Sequence, residues 1–452
     1  MHTQEIVVQL TARVMEVLED LLCQQVVPDS FSDMEEEIRQ AWLQIAPKVL
    51  ELWLSSQDAP YPADELPCQC GGRARYEGRR EGVLSSVLGT VHYKRAYYLC
   101  AGCRHGFYPL DQRLGLRPGE RSALLESLLG MMGAELPFAR ATELFKRLVL
   151  ISVSPQSVND ATELVGGEAM AVEEEWKRQS HDPKAIAGQE KEGREGKGEK
   201  RLYGALDAVK LHGRERRDEE DDGWRDMKVG AWFVTEAKPP EGPEGEWEIE
   251  AKEITYYCDI LPAQGFGELM WASGFQRGAM SARELVFVGD GAEWIWNLVQ
   301  EHYPQAVQIV DWFHAVEHLT EVAREIPGEH SAQAWWGEVR GLLWAGEVQE
   351  VIRRCESLAN DSQGGQEARR AAQYFRKHEK RMAYKEFREK GYQIGSGTVE
   401  SECKQMGIGR MKVPGATWST EGARRTAKAR AAWLSGQWDG LTARRQHLRK
   451  AA

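Results

Sequence analysis

Apolar residues in "MHTQEIVVQLTARVMEVLEDLL" recur every three to four positions, the spacing of one helix face, and residues 1–57 read as helical. Three prolines in "QDAPYPADELP" end that pattern. The next stretch alternates, with Val91, Tyr93, Arg95 and Tyr97 on a period of two, which predicts strands. Helical spacing then returns. "PFARATELFKRLVL" and "SPQSVNDATELVG" predict two helices around the short break "ISVS". Ser154 suits an N-cap and Pro155 the first helical position. The pair has the outline of a helix-turn-helix or of two ordinary packed helices. Gln156, Ser157 and Asn159 at the second helix start are the side chains that would meet base edges.

Residues 181–201 are charged and glycine-rich with almost no apolar member, which predicts a linker or a disordered loop. Beyond them the texture changes. Strand-like runs at 202–211, 226–237 and 251–260 are joined by polar loops, the signature of an antiparallel meander. "FGELMWASGFQRGAMS" reads as a helix, and "ELVFVGDGAEWIWNLVQEHYP" and "AVQIVDWFHAVEHLTEVAREI" each read as strand, turn and helix. That order predicts an α/β fold with a mixed sheet. From about 315 to 390 the pattern is helical, with Trp335, Trp336, Leu342, Leu343 and Trp344 expected in its core. Ser419 is the expected N-cap of a last helix in "TWSTEGARRTAKARAAW".

A length of 452 residues suits about three domains at roughly 150 residues each. The expected division is a helical region at 1–57, a zinc-ribbon-like domain at 58–115 and a helical, helix-turn-helix-like DNA-binding region at 116–180. A linker at 181–201, an α/β domain at 202–435 and a basic C-terminal tail at 436–452 complete it. The formal charge of −12 argues against a passive nucleic-acid coat. Distribution matters more than the sum: residues 401–452 hold eleven Lys and Arg against three acids. No apolar run is long enough to span a membrane, and the first residues lack the basic start and cleavage site of a signal peptide, so a cytoplasmic location is expected.

Four of the eight cysteines are paired in sequence. Cys68 and Cys70 form C-x-C, Cys100 and Cys103 form C-x-x-C, and the positions between fit a hairpin. In a cytosolic chain such pairs point to metal rather than disulfides. Four thiolates close the coordination sphere of one structural Zn²⁺, as in a zinc ribbon. His105 is a weaker ligand candidate.

Among the acids, Asp207 sits within an apolar strand, a costly place for a carboxylate without a partner. Asp290 follows a strand in "LVFVGDGAEW", at the strand ends where α/β sheets gather functional groups. Each also has a structural reading, Asp207 as a hydrogen-bonded acid and Asp290 as a helix N-cap. With Glu400 in "QIGSGTVESECK" they match a ribonuclease-H-like nuclease plan, in which such a trio holds two Mg²⁺ ions.

The blocks "YGALDAVKL", "FVGDGAEWIW", "VDWFHAVEHL" and "IGSGTVESECKQM…MKVPGATWSTEGARR" resemble the DDE transposases of the ISKra insertion-sequence group, relatives of Mutator-like transposases. The resemblance covers about residues 200–435 and more loosely the upstream cysteine knuckles and helices. It implies a ribonuclease-H-like catalytic domain with a helical insertion. It implies Asp207, Asp290 and Glu400 as the Mg²⁺ (or Mn²⁺) ligands: Glu400 matches the group's Glu in "VES", and Glu402, two residues on and about 200° round a helix, would point away. The group's Asp-x-x-His motif falls on Asp311 and His314, which would orient DNA near the metals or else cap a helix and pack in the core, with Trp312 and Phe313 expected in the core.

Lys404 would meet a phosphate, being four residues from Glu400. Arg410, Lys412, Arg424, Arg425, Lys428 and Arg430 are expected to contact DNA phosphates or to form a solvated helix face, and Trp418 to stack on a base or fill the core. The implied activity is metal-dependent cleavage at transposon ends and strand transfer into target DNA. The implied partners are terminal inverted repeats, target DNA and further copies of the chain. Two alternatives stand beside it: a zinc-containing regulatory DNA-binding protein on an inactive nuclease scaffold, and a nuclease without strand transfer. The acidic loop at 214–222 is expected to project away from the acids.

Overall fold

The computed structural model describes residues 3–23, 29–58, 63–216, 222–238, 248–361, 365–395, 406–407 and 409–451. Glu400, Glu402, Lys404 and most of the acidic loop therefore lie outside the described residues. The chain divides into two compact units, Met1–Glu168 with Gln437–Ala452, and Ala169–Gly436. No helix among the described residues is long and apolar enough to cross a membrane.

The first unit begins with helices α1 (Thr3–Leu22) and α2 (Phe31–Asp58). Ser30 caps α2, its hydroxyl accepting the Asp33 N–H at 3.2 Å. The helices meet through Val17, Ala41 and Ile45. An antiparallel sheet follows in the order β1 (Glu65–Pro67), β2 (Arg73–Ser86), β3 (Gly89–Cys100), β4 (Gly106–Phe107). Alternation along β3 turns Val91, Tyr93 and Arg95 inward. A buried cation needs a partner, and Arg95 has one: its Nε lies 2.5 Å from Asp111 on α3 (Pro109–Leu114), which also accepts the Tyr93 hydroxyl at 3.0 Å.

Helices α4 (Ala123–Glu135), α5 (Phe138–Val149) and the start of α6 (Pro155–Ser180) bury Leu125, Leu129, Phe145 and Val158 together. The break between α5 and α6 falls where the sequence placed it, with Leu150 in the left-handed region (φ 64°) and Ser154 accepting the Ser157 N–H at 3.1 Å. The polar side chains expected at base edges are occupied: Gln156 donates to Asp160 at 2.7 Å and Asn159 to Glu163 at 3.1 Å.

The second unit carries a five-stranded mixed sheet in the order β7-β6-β5-β8-β9. Its strands are β5 (Leu202–His212), β6 (Trp224–Lys238), β7 (Glu248–Asp259), β8 (Leu285–Gly289) and β9 (Val307–Val310). The first three form the expected meander, while β5, β8 and β9 run parallel. The connecting helices are α8 (Ala263–Gln276), α9 (Glu293–His302) and α10 (Trp312–Glu325). Trp232, Tyr203, Phe233, Phe287 and Tyr303 are fully buried against the sheet. The helical stretch continues through α11 (Glu329–Trp344), α12 (Val348–Asp361), α13 (Gln366–His378) and α14 (Tyr384–Glu389), and the unit closes with α15 (Thr420–Leu434).

Four expectations are corrected. Residues 181–201 are not a structureless linker: Pro183–Arg194 form α7, because Asp182 caps it through the Lys184 N–H and Pro183 occupies the first turn. Gly198 then sits so close to the Ser281 backbone that a side chain there would collide, and Gly193 packs tightly against the same residue. The basic C-terminal tail is helix α16 (Trp438–Ala451), packed within the first unit, where Trp438 donates to Ser127 at 3.0 Å and Arg445 and Arg449 close on the buried Glu126. Phe313 is exposed rather than core, because it faces away from Ala315 and Leu319 on α10. Trp344 is also exposed, its face covered by the Arg388 guanidinium at 3.6 Å, while Val339 and Leu343 make the core of α11.

Candidate functional site

The four clustered thiols converge. Cys68 Sγ lies 3.6 Å from Cys103 Sγ and Cys70 Sγ 3.7 Å from Cys100 Sγ, and all four sulfurs lie within 4.8 Å of one another. A tetrahedral site with Zn–S near 2.3 Å separates its sulfurs by about 3.8 Å, so the cluster is compatible with one Zn²⁺. Two tight turns build it. Cys68 donates its N–H to Gly72 and accepts from Gly71, and Cys100 donates to His105 and accepts from Arg104. Backbone N–H groups of Cys103 and Gly102, working against burial, hold the Cys100 thiol down to about 7. That favours a thiolate at Cys100, while against the His105 N–H the neighbouring thiols and burial push Cys103 up. His105 stacks on Phe107 and is not one of the clustered ligands.

The acids are brought together by strand register. Leu206 on β5 is opposite Gly289 on β8, and Gly289 is opposite Val310 on β9. Asp207 within β5, and Asp290 and Asp311 just past the ends of β8 and β9, are therefore the next residues along three adjacent parallel strands, at one level. Neighbouring strands are about 4.8 Å apart. Asp207 and Asp290 are half-buried and Asp311 is fully buried. Among the described residues these acids do not form a three-ligand metal cluster like that of the thiols. Asp207 Oδ1 accepts the Ala208 N–H at 2.7 Å, and Asp290 Oδ1 accepts the Ala292 N–H at 2.8 Å. Asp311 caps α10, its Oδ1 accepting the His314 N–H at 2.9 Å, and the His314 ring nitrogen lies 3.6 Å from the same oxygen.

The described ends of the chain around Glu400 are anchored beside these acids. Trp312, next to Asp311, donates its N–H to the Ile394 carbonyl at 3.0 Å, and Gly395 packs on the Phe313 ring. On the other side Gly407 packs on Val209, two residues beyond Asp207.

A group that sequence reasoning missed lies behind Asp290. Tyr374 on α13 donates to the Asp290 carbonyl at 3.0 Å, and its ring lies tilted against His318 and His378, with centroids 4.0 and 4.9 Å away. Burial, then the negative charges of Asp290 and Asp311, push the Tyr374 hydroxyl well above its usual range. Burial together with Arg381 and Lys377 pulls His378 down to about 4. No sequence signal marked these residues, because their helix is the sixth element after β8 in chain order.

The basic stretch behaves differently from expectation. Arg410 is 2% exposed and Trp418 9% exposed, the indole donating to the Met411 carbonyl at 2.9 Å. Both are packed into the second unit, which removes them as contacts for a phosphate or a base. Arg424 is held by Asp259 through two hydrogen bonds of 2.6 and 3.1 Å, and Arg425 pairs with Glu421 at 2.7 Å. Lys428 is buried between Glu173 and Asp259, and Arg430 is buried as well. Lys412 remains exposed.

No protein-family model and no curated protein matches the sequence. Among solved structures, the Drosophila P element transposase strand transfer complex aligns with 72% of this chain and 81% of that one, at 10% identity and a TM-score of 0.24. A likeness that loose carries no argument about fold or activity.

Proposed function

We propose that the second unit is a ribonuclease-H-like nuclease domain and that the protein is a DDE transposase of the ISKra kind, cleaving DNA at transposon ends and transferring the strand into target DNA. The carrying observation is the register that sets Asp207, within β5, beside Asp290, just past the end of the adjacent parallel strand β8. The strand order supports the same reading: three antiparallel strands, then two parallel ones added beside the first. Glu400 is the third acid of this proposal. Its described flanks are fastened next to Asp311 and Val209, within about 20 Å of extended chain on each side.

Oxygen ligands of this kind suit Mg²⁺ or Mn²⁺, and divalent ions there would polarise the phosphodiester and stabilise the leaving oxygen. The chain's own part is positioning. The Ala292 N–H fixes one oxygen of Asp290, while Tyr374 holds the turn through its main-chain carbonyl. Asp311 orders the start of α10 and keeps His314 beside the acids. The cysteine cluster would hold Zn²⁺ as a structural ion in a first unit that binds the terminal repeats. Joining two ends calls for more than one copy, and Phe31, Met34, Ile38 and Trp42 leave an exposed apolar stripe on α2 where a second copy would bury surface.

The test is cleavage of duplexes carrying the element's ends, with Mg²⁺, by wild type, Asp207→Asn and Asp290→Asn. Loss of at least about a thousandfold in rate with an unchanged circular dichroism spectrum is expected. Full activity in either variant would remove that acid from the reaction. Joining of pre-cut ends to a plasmid separates strand transfer from simple nuclease action.

A further inference from the structure

The first unit contains a cavity of about 670 Å³, between the β2–β3 turn, the segment before α4, the starts of α4 and α6, and α16. Its size suits a small organic ligand. Arg117, Arg121 and Arg445 line it together with Ser85, Ser152 and Ser154, and Ile151 and Val153 supply apolar lining.

The charges in this cavity are unevenly matched. Glu126 takes Arg445 and also Arg449 at 2.8 Å, and the rim residue Glu120 lies 3.7 Å from Arg449. Arg117 and Arg121 have no carboxylate partner among the described residues, in a chain whose other arginines are extensively paired. The Arg121 Nε is buried with no hydrogen-bond partner. A buried guanidinium N–H left unpaired costs about 1–3 kcal/mol, and such groups in native folds call for an explanation.

The backbone that carries them is fixed. Gly119 donates to Val83 at 2.8 Å, Ser85 to Glu120 at 3.2 Å and Ser122 to Ser85 at 2.7 Å, so residues 119–122 are tied alongside β2, with Arg121 opposite Ser85 in an isolated parallel bridge. Arg121 sits on that segment and Arg117 just before it, its carbonyl accepting the Glu120 N–H at 3.0 Å, and two guanidinium forks so placed match the several oxygens of a phosphate. The wall of Ile151 and Val153 leaves room for the sugar attached to it.

We propose that this cavity binds the phosphate of a nucleotide unit through Arg117 and Arg121. The phosphate belongs either to a DNA strand or to a free nucleotide. The proposal concerns the first unit alone and does not rest on the nuclease reading.

The test uses the full chain with its zinc retained and Mg²⁺ omitted. Binding of a fluorescent duplex oligonucleotide is followed by anisotropy, and binding of a deoxynucleoside 5′-monophosphate by calorimetry. The variants are Arg117→Gln with Arg121→Gln, and Ser152→Glu, which places a carboxylate at the exposed mouth without touching the arginines. Whichever phosphate ligand binds wild type should bind both variants at least about tenfold more weakly. For the duplex, the dependence of log affinity on log salt should flatten by about one to two phosphate equivalents in the arginine variant. Loss of duplex binding alone assigns the phosphate to DNA, and loss of mononucleotide binding assigns it to a free nucleotide. Absence of binding by wild type to both ligands overturns the proposal, as does wild-type affinity in both variants with unchanged thermal midpoints. Binding is read without Mg²⁺ and through first-unit variants alone, so a failure of the nuclease reading shows separately, in cleavage.

Discussion

Tyr374 and Gly291 meet on the far side of the Asp290 turn: a Cβ built on Gly291 would stand 2.7 Å from the Tyr374 ring, and Gly291 has a φ of +98°. Steric room and backbone conformation both require glycine there. The same tyrosine donates to the Asp290 carbonyl, so the turn carrying a proposed catalytic acid is clamped by an element of the helical insertion. Gly291→Ala should lower unfolding free energy by about 2–3 kcal/mol in urea titrations. Tyr374→Phe keeps the ring and loses one hydrogen bond, about 1 kcal/mol. Under the nuclease reading Tyr374→Phe also slows DNA cleavage more than it weakens DNA binding. An equal effect on both would assign the tyrosine a purely structural role.

Lys428 provides the second prediction. It is 1% exposed and lies between Glu173 and Asp259, with Arg424 completing the group. Burial acts to raise the Asp259 carboxyl, but Arg424 and Lys428 outweigh it and hold the group below its usual range. Removing the ammonium leaves two buried carboxylates facing each other. Lys428→Met should therefore cost about 3–5 kcal/mol, measured by chemical denaturation. A loss under about 1 kcal/mol would mean that the acids find other partners.

That network also explains why the basic C-terminal segment was misread. Its cations are conspicuous along the chain, yet their partners are far away in sequence: Asp259 for Arg424, Glu173 for Lys428, Glu168 for Arg444 and Glu126 for Arg449. Local charge density records nothing of such pairing. The strands were legible for the opposite reason, since each of 202–211, 226–237 and 251–260 carries its own apolar pattern, and β5, β6 and β7 appear there. The paired cysteine spacing likewise signalled a cluster that the fold brings together. Helix α7 was hidden because composition outweighed a two-residue signal, the Asp182 cap and Pro183. The common level of Asp207, Asp290 and Asp311 is a property of register, which hydrophobic pattern alone leaves open.

The cysteine cluster predicts a metal dependence confined to the first unit. Wild type should carry about one zinc per chain by elemental analysis, and Cys70→Ser or Cys103→Ser should reduce it to near zero. Chelation should lower the thermal midpoint of the first unit and expose the thiols to alkylation. Cys258 and Cys355, buried and pushed up to about 12, should stay unreactive until global unfolding. A full zinc content in Cys103→Ser would rule out a four-thiolate site.

His378 sets an acid limit on stability. It is buried against Tyr374, with Arg381 Nη1 3.3 Å from its Nδ1 and Lys377 next in sequence. Its folded value near 4 lies below the ordinary 6.5. Between those values the unfolded chain takes up a proton that the folded chain does not. The stabilisation is thus fully present above pH 6.5 and is lost as pH falls through about 4. At about 1.4 kcal/mol per pH unit, the window is worth at most about 3 kcal/mol. His378→Gln removes the titrating group, so its unfolding free energy should fall less steeply than wild type between pH 6.5 and 4.5. Parallel curves would show that His378 titrates normally in the fold, and the acid sensitivity would then belong to the carboxylate pairs.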